Sequence, residues 1–162
     1  MLLHLLRHAD AGDPLAWSGP DSSRPLSKKG RDQSERLGRF LAGTGFQPDL
    51  FITSPKVRAV ETAEIIAKVL DVQVAVDDRL AGALDLPVVD GIVDSHGHAE
   101  RPVLVGHDPD FSELVAVLCG AAGVPMRKGA LVRIETARPL APGAGTLRWL
   151  VPPDLLRPKR DG

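Results

Sequence analysis

The sequence predicts a three-layer α/β/α domain built on a mostly parallel, mixed sheet. Three observations carry that prediction. Short apolar runs of strand length recur along the chain, at LLHLL, LFIT, VQVAV and PVLVG. Between them lie longer stretches whose apolar residues return every three or four positions, the period of a helix packed on one face. Strands that alternate with helices in this way pair in parallel, since each helix carries the chain back across the sheet. The length agrees: 162 residues, 43% hydrophobic and 25% charged, suffice for one core and one domain over 1–162.

The elements follow in order. Leu2 to Leu6 form the first strand, and residues 9 to 25, rich in Gly, Pro, Asp and Ser, read as a long loop. Ser27 is placed to cap a helix running to about Leu41, with Gln33, Leu37, Phe40 and Leu41 on its inner face and Gly43 and Gly45 ending it. Residues 50 to 53 make the second strand. Ser54 and Pro55 then read as N-cap and first residue of a helix with Val60, Ala63, Ala67 and Leu70 on one stripe. The third strand spans 72 to 76, and a helix is expected within Leu86 to Val93. A fourth strand at 102 to 106 leads into a helix from Phe111 to Leu118, and residues 130 to 135 and 146 to 150 close the chain as an antiparallel pair.

Composition narrows the function. Twenty Lys and Arg against 21 Asp and Glu leave a net charge of −1, so no bulk field draws the chain to nucleic acid or to an anionic membrane. Arg157, Lys159 and Arg160 form only a short basic tail. The one cysteine, Cys119, sits on an apolar run and excludes both an internal disulfide and a thiolate metal cluster. No apolar run approaches the length that spans a bilayer, and Arg7 and His8 follow too soon for a secretory leader. The expected compartment is the cytoplasm. His96 and His98 are two residues apart with no evident third ligand, which argues for a surface loop rather than a metal site; no metal and no cofactor are expected.

In a parallel sheet the ligand crevice lies outside the carboxyl ends of the strands. The first strand delivers Arg7 and His8 there; the second delivers Ser54, with Arg58 in the following turn; PVLVG delivers His107 and Asp108. Arginine presents a planar fork of donors that matches phosphate oxygens. A neutral imidazole can attack a phosphoryl group and carry it covalently, and a second, charged one can bond its oxygens. These residue types suit a phosphorylated substrate, although they do not say which histidine attacks. Asp10 and Arg24 lie in the adjoining loop, where Arg24 is placed either to reach the phosphate or to form an ion pair, and Asp108 is also placed to cap the helix near Pro109.

Four segments in register resemble the histidine phosphatase superfamily. LLRHAD is similar to its Arg-His-Gly signature, with Ala9 in place of the glycine; RPLSKKGRDQ, ITSPKVRAVETA and VLVGHDP resemble its three further elements. The short length and RLAGAL after the third strand resemble the SixA-type phosphohistidine phosphatases. The resemblance implies that superfamily's phosphoglycerate mutase-like fold. It further implies a phosphorylated nucleophile at His8, a phosphoryl group held by Arg7, Arg58 and His107, and no metal. The expected substrate is a phosphohistidine-bearing protein, or else a small phosphorylated metabolite, with phosphate as product; a binding module without catalysis is the remaining alternative.

One departure bears on substrate. Larger members carry a glutamate acid soon after the third strand, where this chain reads DDRLAGALDLP. Asp85 is the nearest substitute, with Asp78 and Asp10 behind it. Phosphohistidine needs little acid help, because its protonated ring departs as neutral imidazole, whose conjugate acid has a pKa of about 6.5.

Overall fold

The computed structural model describes residues 1–159, so Arg160 of the basic tail lies outside the described residues. Six strands form one mixed sheet: β1 (Leu2–Arg7), β2 (Leu50–Thr53), β3 (Val74–Val76), β4 (Pro102–Gly106), β5 (Leu131–Glu135) and β6 (Thr146–Val151), in the spatial order β3-β2-β4-β1-β5-β6. β3, β2, β4 and β1 run parallel; β5 pairs antiparallel with β1, and β6 antiparallel with β5. The expected fold class is therefore present, down to the antiparallel pair at the end.

Four helices connect the strands: α1 (Lys28–Gly43), α2 (Val57–Leu70), α3 (Leu86–Ser95) and α4 (Asp110–Cys119). The chain crosses the sheet one way through α1 and α2 and returns through α3 and α4. Right-handed crossovers place α1 and α2 on one face and α3 on the other, and α4 packs beside α3 in the same cluster. The core divides accordingly. Leu6, Phe51, Val103, Val105 and Leu131 meet Leu37, Leu41, Ala63 and Ile66 on one side. Leu3, Leu5, Ile52, Leu104 and Val132 meet Val89, Ile92, Phe111, Leu114 and Leu118 on the other. The alternation of Leu3 and Leu5 against His4 and Leu6 along β1 is the strand period of two.

Two local expectations are corrected. Phe40 is 42% exposed instead of buried on α1, because it borders an open cleft between that helix and the β5–β6 pair. α2 begins at Val57, two residues later than Ser54–Pro55 suggested, and Lys56 is its N-cap. The Ser54 hydroxyl is drawn instead to a histidine of the neighbouring strand.

Candidate active site

β4 lies between β2 and β1, so the residue after β4 sits between the residues that follow the other two. Backbone bonds hold the three ends level: His8 N–H donates to the Gly106 carbonyl at 3.0 Å, and Ser54 N–H to the Val105 carbonyl at 2.9 Å. This brings the His8 and His107 rings to 5.3 Å between centroids. Arg58, from the first turn of α2, and Arg7, from the end of β1, both place their charge against the two imidazoles.

Hydrogen bonds define the protons. A carbonyl only accepts, so the 2.7 Å contact of His8 Nδ1 with the Ala9 carbonyl puts the proton on Nδ1 and leaves Nε2 with a free lone pair. His107 Nε2 pairs with Ser54 Oγ at 2.7 Å, and Lys56 N–H donates to the same hydroxyl at 3.3 Å. Burial, reinforced by neighbouring cations, pushes His8 down to about 3 and His107 to about 4. Both rings are thus neutral at pH 7, whereas the sequence suggested a charged second histidine.

Buried donors usually find partners. Here the Nε atoms of Arg7 and Arg58 and the Nδ1 atom of His107 are buried with none. Their neighbours are engaged: Arg7 Nη1 donates to the Met126 carbonyl at 2.8 Å, and the Arg58 Nη atoms donate to the Asp21 carbonyl and carboxylate at 2.8 and 2.9 Å. Buried nitrogens without partners, beside a neutral imidazole with a free lone pair, are what an anion site next to a nucleophile would need.

The chain supports this geometry with residues that have no chemistry of their own. Ala9 N–H donates to Thr62 Oγ1 at 3.1 Å, and that hydroxyl donates to the Arg58 carbonyl at 2.7 Å, tying the His8 turn to α2. Asp10 N–H donates to Gln33 Oε1 at 3.0 Å. Ser27 caps α1 and donates to Asp10 Oδ2 at 2.6 Å. Gly30 allows the contact, since a Cβ there would stand 1.9 Å from the Asp10 carbonyl oxygen. Gly30→Ala must therefore displace either α1 or the turn after His8. It is expected to destabilise by about 1–3 kcal/mol and to lower turnover, read by denaturant melts and by activity.

The remaining candidates fall around this centre. Asp108 accepts from Ser112 N–H at 3.0 Å and Ser112 Oγ at 2.6 Å in the first turn of α4, with its carboxylate 3.8 Å from Arg7 Nη1. Arg24 spends its donors on the Ala11 carbonyl at 2.7 Å, the Gly12 carbonyl at 3.3 Å and Asp21 at 3.2 Å, so it holds the loop. Asp85 is exposed and caps α3 by accepting from Val88 N–H at 2.9 Å. His96 and His98 bind different carboxylates, Asp77 at 3.0 Å and Asp94 at 2.9 Å. Among the described residues no group of three His, Cys, Asp or Glu could hold a metal ion, and no helix is long and apolar enough to cross a membrane. Asp21, which secures Arg58, was missed; its only signal was its position three residues before Arg24 in the loop.

The neutral histidines have a consequence for stability. His4, buried on β1 beside β5, is pushed down to about 4 chiefly by burial. The unfolded chain binds protons at these three positions below about pH 6.5, while the folded chain does not until near pH 3 to 4. Stability is therefore full above pH 6.5 and falls as pH drops towards 4, by up to about 1.4 kcal/mol per pH unit for each histidine. Denaturant melts between pH 7 and 4.5 measure that slope.

The ends of the parallel strands and the first turn of α2 together gather two histidines and two arginines, a set that suits an anionic phosphoryl group, and the likeness to known proteins points the same way. Residues 3–83 match the histidine phosphatase superfamily (branch 1). The phosphohistidine phosphatase SixA of Escherichia coli is 26% identical over 157 residues, covering 94% of each chain. A solved structure of the protein histidine phosphatase SixA complexed with tungstate superposes with a TM-score of 0.81 at 26% identity, over 97% of this chain and 100% of that one. A mycobacterial glucosyl-3-phosphoglycerate phosphatase shares the fold, with a TM-score of 0.69 at 19% identity over 91% and 97% of the two chains. The chain belongs to the histidine phosphatase superfamily.

Proposed function

We propose that the chain is a metal-independent phosphohydrolase that works through a phosphohistidine on His8, and that its substrate is a phosphohistidine carried by a protein. The observation that carries the reading is the set of unpartnered buried nitrogens of Arg7, Arg58 and His107 around His8, whose Nε2 keeps its lone pair. A phosphoryl dianion gives those nitrogens their missing acceptor. Its charge also favours a proton on His107, reversing the effect of the surrounding cations.

In the first step His8 Nε2 bonds to phosphorus as the bond from phosphorus to the substrate's ring nitrogen breaks. The substrate ring, protonated on its other nitrogen, leaves as neutral imidazole. Water then attacks the phosphorus of phospho-His8, giving its proton to the site or to solvent, and phosphate departs as His8 is restored. Arg7 and Arg58 hold the equatorial oxygens through both steps, with Ser54 keeping His107 in place.

The rim favours a macromolecular phosphate carrier. Among the described residues, Arg7, Lys29, Arg127, Lys128 and Arg157 line a recess beside the site whose acids are Asp10 and Asp154. Such a surface steers an acidic protein partner towards the pocket. Only residues 77–85 link β3 to α3, so no long insertion arises there to cover the opening.

The test is turnover of a phosphohistidine-bearing protein against a panel of phosphorylated metabolites, with and without EDTA. Turnover of the phosphoprotein, unchanged by chelator, supports the reading. A strong preference for one small ester would move the substrate to the metabolite class, and loss of activity in EDTA would overturn the metal-independent mechanism.

A further inference from the structure

The layer formed by α1 and α2 stops short of the sheet's outer strands on that face. A cleft of about 480 Å³ opens there between the C-terminal half of α1 and the β5–β6 pair. Arg133 of β5 lies in its floor. Its Nε donates to His4 Nε2 at 2.9 Å, and its guanidinium carbon stands 4.9 Å from the Trp149 ring centroid and 5.5 Å from that of Phe46.

This guanidinium has an unusual set of neighbours. His4 donates through Nδ1 to the Pro102 carbonyl at 3.0 Å and accepts from Arg133 through Nε2, so it is the neutral tautomer and brings no negative charge. Burial and the charge of Arg101 both oppose the Arg133 cation. Arg101 itself is committed, with Nε and Nη2 on Asp49 at 3.1 and 3.0 Å. Two guanidinium groups against one carboxylate leave one positive charge uncompensated beside the cleft. Among the described residues the Arg133 Nη atoms donate to no protein acceptor, and no ion pair engages them.

Aromatic and aliphatic side chains form one part of the walls, and Thr44 and Gln47 another. Phe40, 42% exposed, faces the same opening as Trp149 and Val151. A cavity of this size, with aromatic side chains beside a placed charge, has the make-up of a small-molecule site. We propose that this cleft binds a small organic monocarboxylate with a flat apolar body, its carboxylate on the Nη fork of Arg133 and its body against Phe40 and Trp149. With Nε engaged, the fork offers two parallel N–H groups, which match the two oxygens of a carboxylate. This site is separate from the proposed catalytic one: Arg133 pairs in register with His4, three residues along β1 from Arg7.

Benzoate is a suitable probe and benzamide its neutral counterpart. Trp149 reports binding through its fluorescence in a Trp17→Phe background. Saturable quenching by benzoate is expected, with benzamide weaker by about tenfold or more and Arg133→Met reducing benzoate affinity by a similar factor. Arg133→Lys keeps the charge without the fork and is expected to bind weakly as well. Turnover of an aryl phosphate near the wild-type rate verifies that each variant is folded. Equal binding of benzamide, or undiminished binding by either Arg133 variant, overturns the proposal. So does competition by inorganic phosphate, because that would place the benzoate among Arg7, Arg58 and His107.

Discussion

His8→Ala is expected to abolish the phosphoenzyme and to lower turnover by on the order of 10³-fold or more. The two rings differ in which nitrogen is free. His107 Nε2 is held by Ser54, whereas His8 donates its Nδ1 proton to Ala9 and presents an unencumbered Nε2. Burial keeps that nitrogen unprotonated down to about pH 3, so the proposed nucleophile is fully available at neutral pH. Rapid quench of the wild type with labelled substrate should trap an acid-labile, base-stable phosphoenzyme. His107→Ala should slow its formation and breakdown yet still show it, because the nucleophile remains. A labelled intermediate that persists in His8→Ala, or turnover there at the wild-type rate, rules the mechanism out. Folding is checked independently: removing a buried neutral imidazole should make the variant less sensitive to acid than the wild type, which a collapsed protein would not show.

Much of this arrangement was legible in the sequence because strand ends are legible. Apolar runs such as PVLVG stop abruptly at a polar residue, and parallel pairing then dictates that His8, Ser54 and His107 share an edge. Spacing alone could not give the order of the strands, which is set by how α1 and α3 cross the sheet. The scaffold was legible as pattern but not as cause. Gly30, Gln33 and Thr62 recur in recognisable segments, yet their purpose, holding the backbone of Ala9 and Asp10, exists only once α1 and α2 are docked. Asp21 was hidden because its partner Arg58 is 37 residues away and the loop between has no periodicity. Phe40 was misplaced for the opposite reason: its spacing fits a buried face, but it borders the open cleft beside Trp149.

Asp85→Asn is expected to leave phosphohistidine turnover nearly unchanged, while alkyl phosphates are expected to react slowly even with the wild type. An alkoxide is a poor leaving group, and a general acid positioned to protonate it commonly contributes about 10²–10⁴-fold. The carboxylates close to the site are committed as acceptors. The hydrogen bond from Arg58 holds Asp21 below the usual carboxylate range. Despite partial burial, bonds from Ser27 and Gly12 hold Asp10 down as well, and Asp108 accepts twice from Ser112. Asp85 accepts the Val88 N–H at the start of α3, so its replacement by asparagine keeps an oxygen for that cap and isolates the loss of acidity. A phosphoramidate escapes the deficit, since its leaving imidazole is already protonated on the ring. Both substrate types should therefore be measured on wild type and Asp85→Asn. Similar phosphohistidine rates in the two proteins, with alkyl phosphates lower by about 10²-fold or more in both, fit a site without a dedicated acid. A hundredfold loss confined to an alkyl phosphate on Asp85→Asn, with phosphohistidine untouched by the wild type, would reassign the substrate while leaving the histidine chemistry in place.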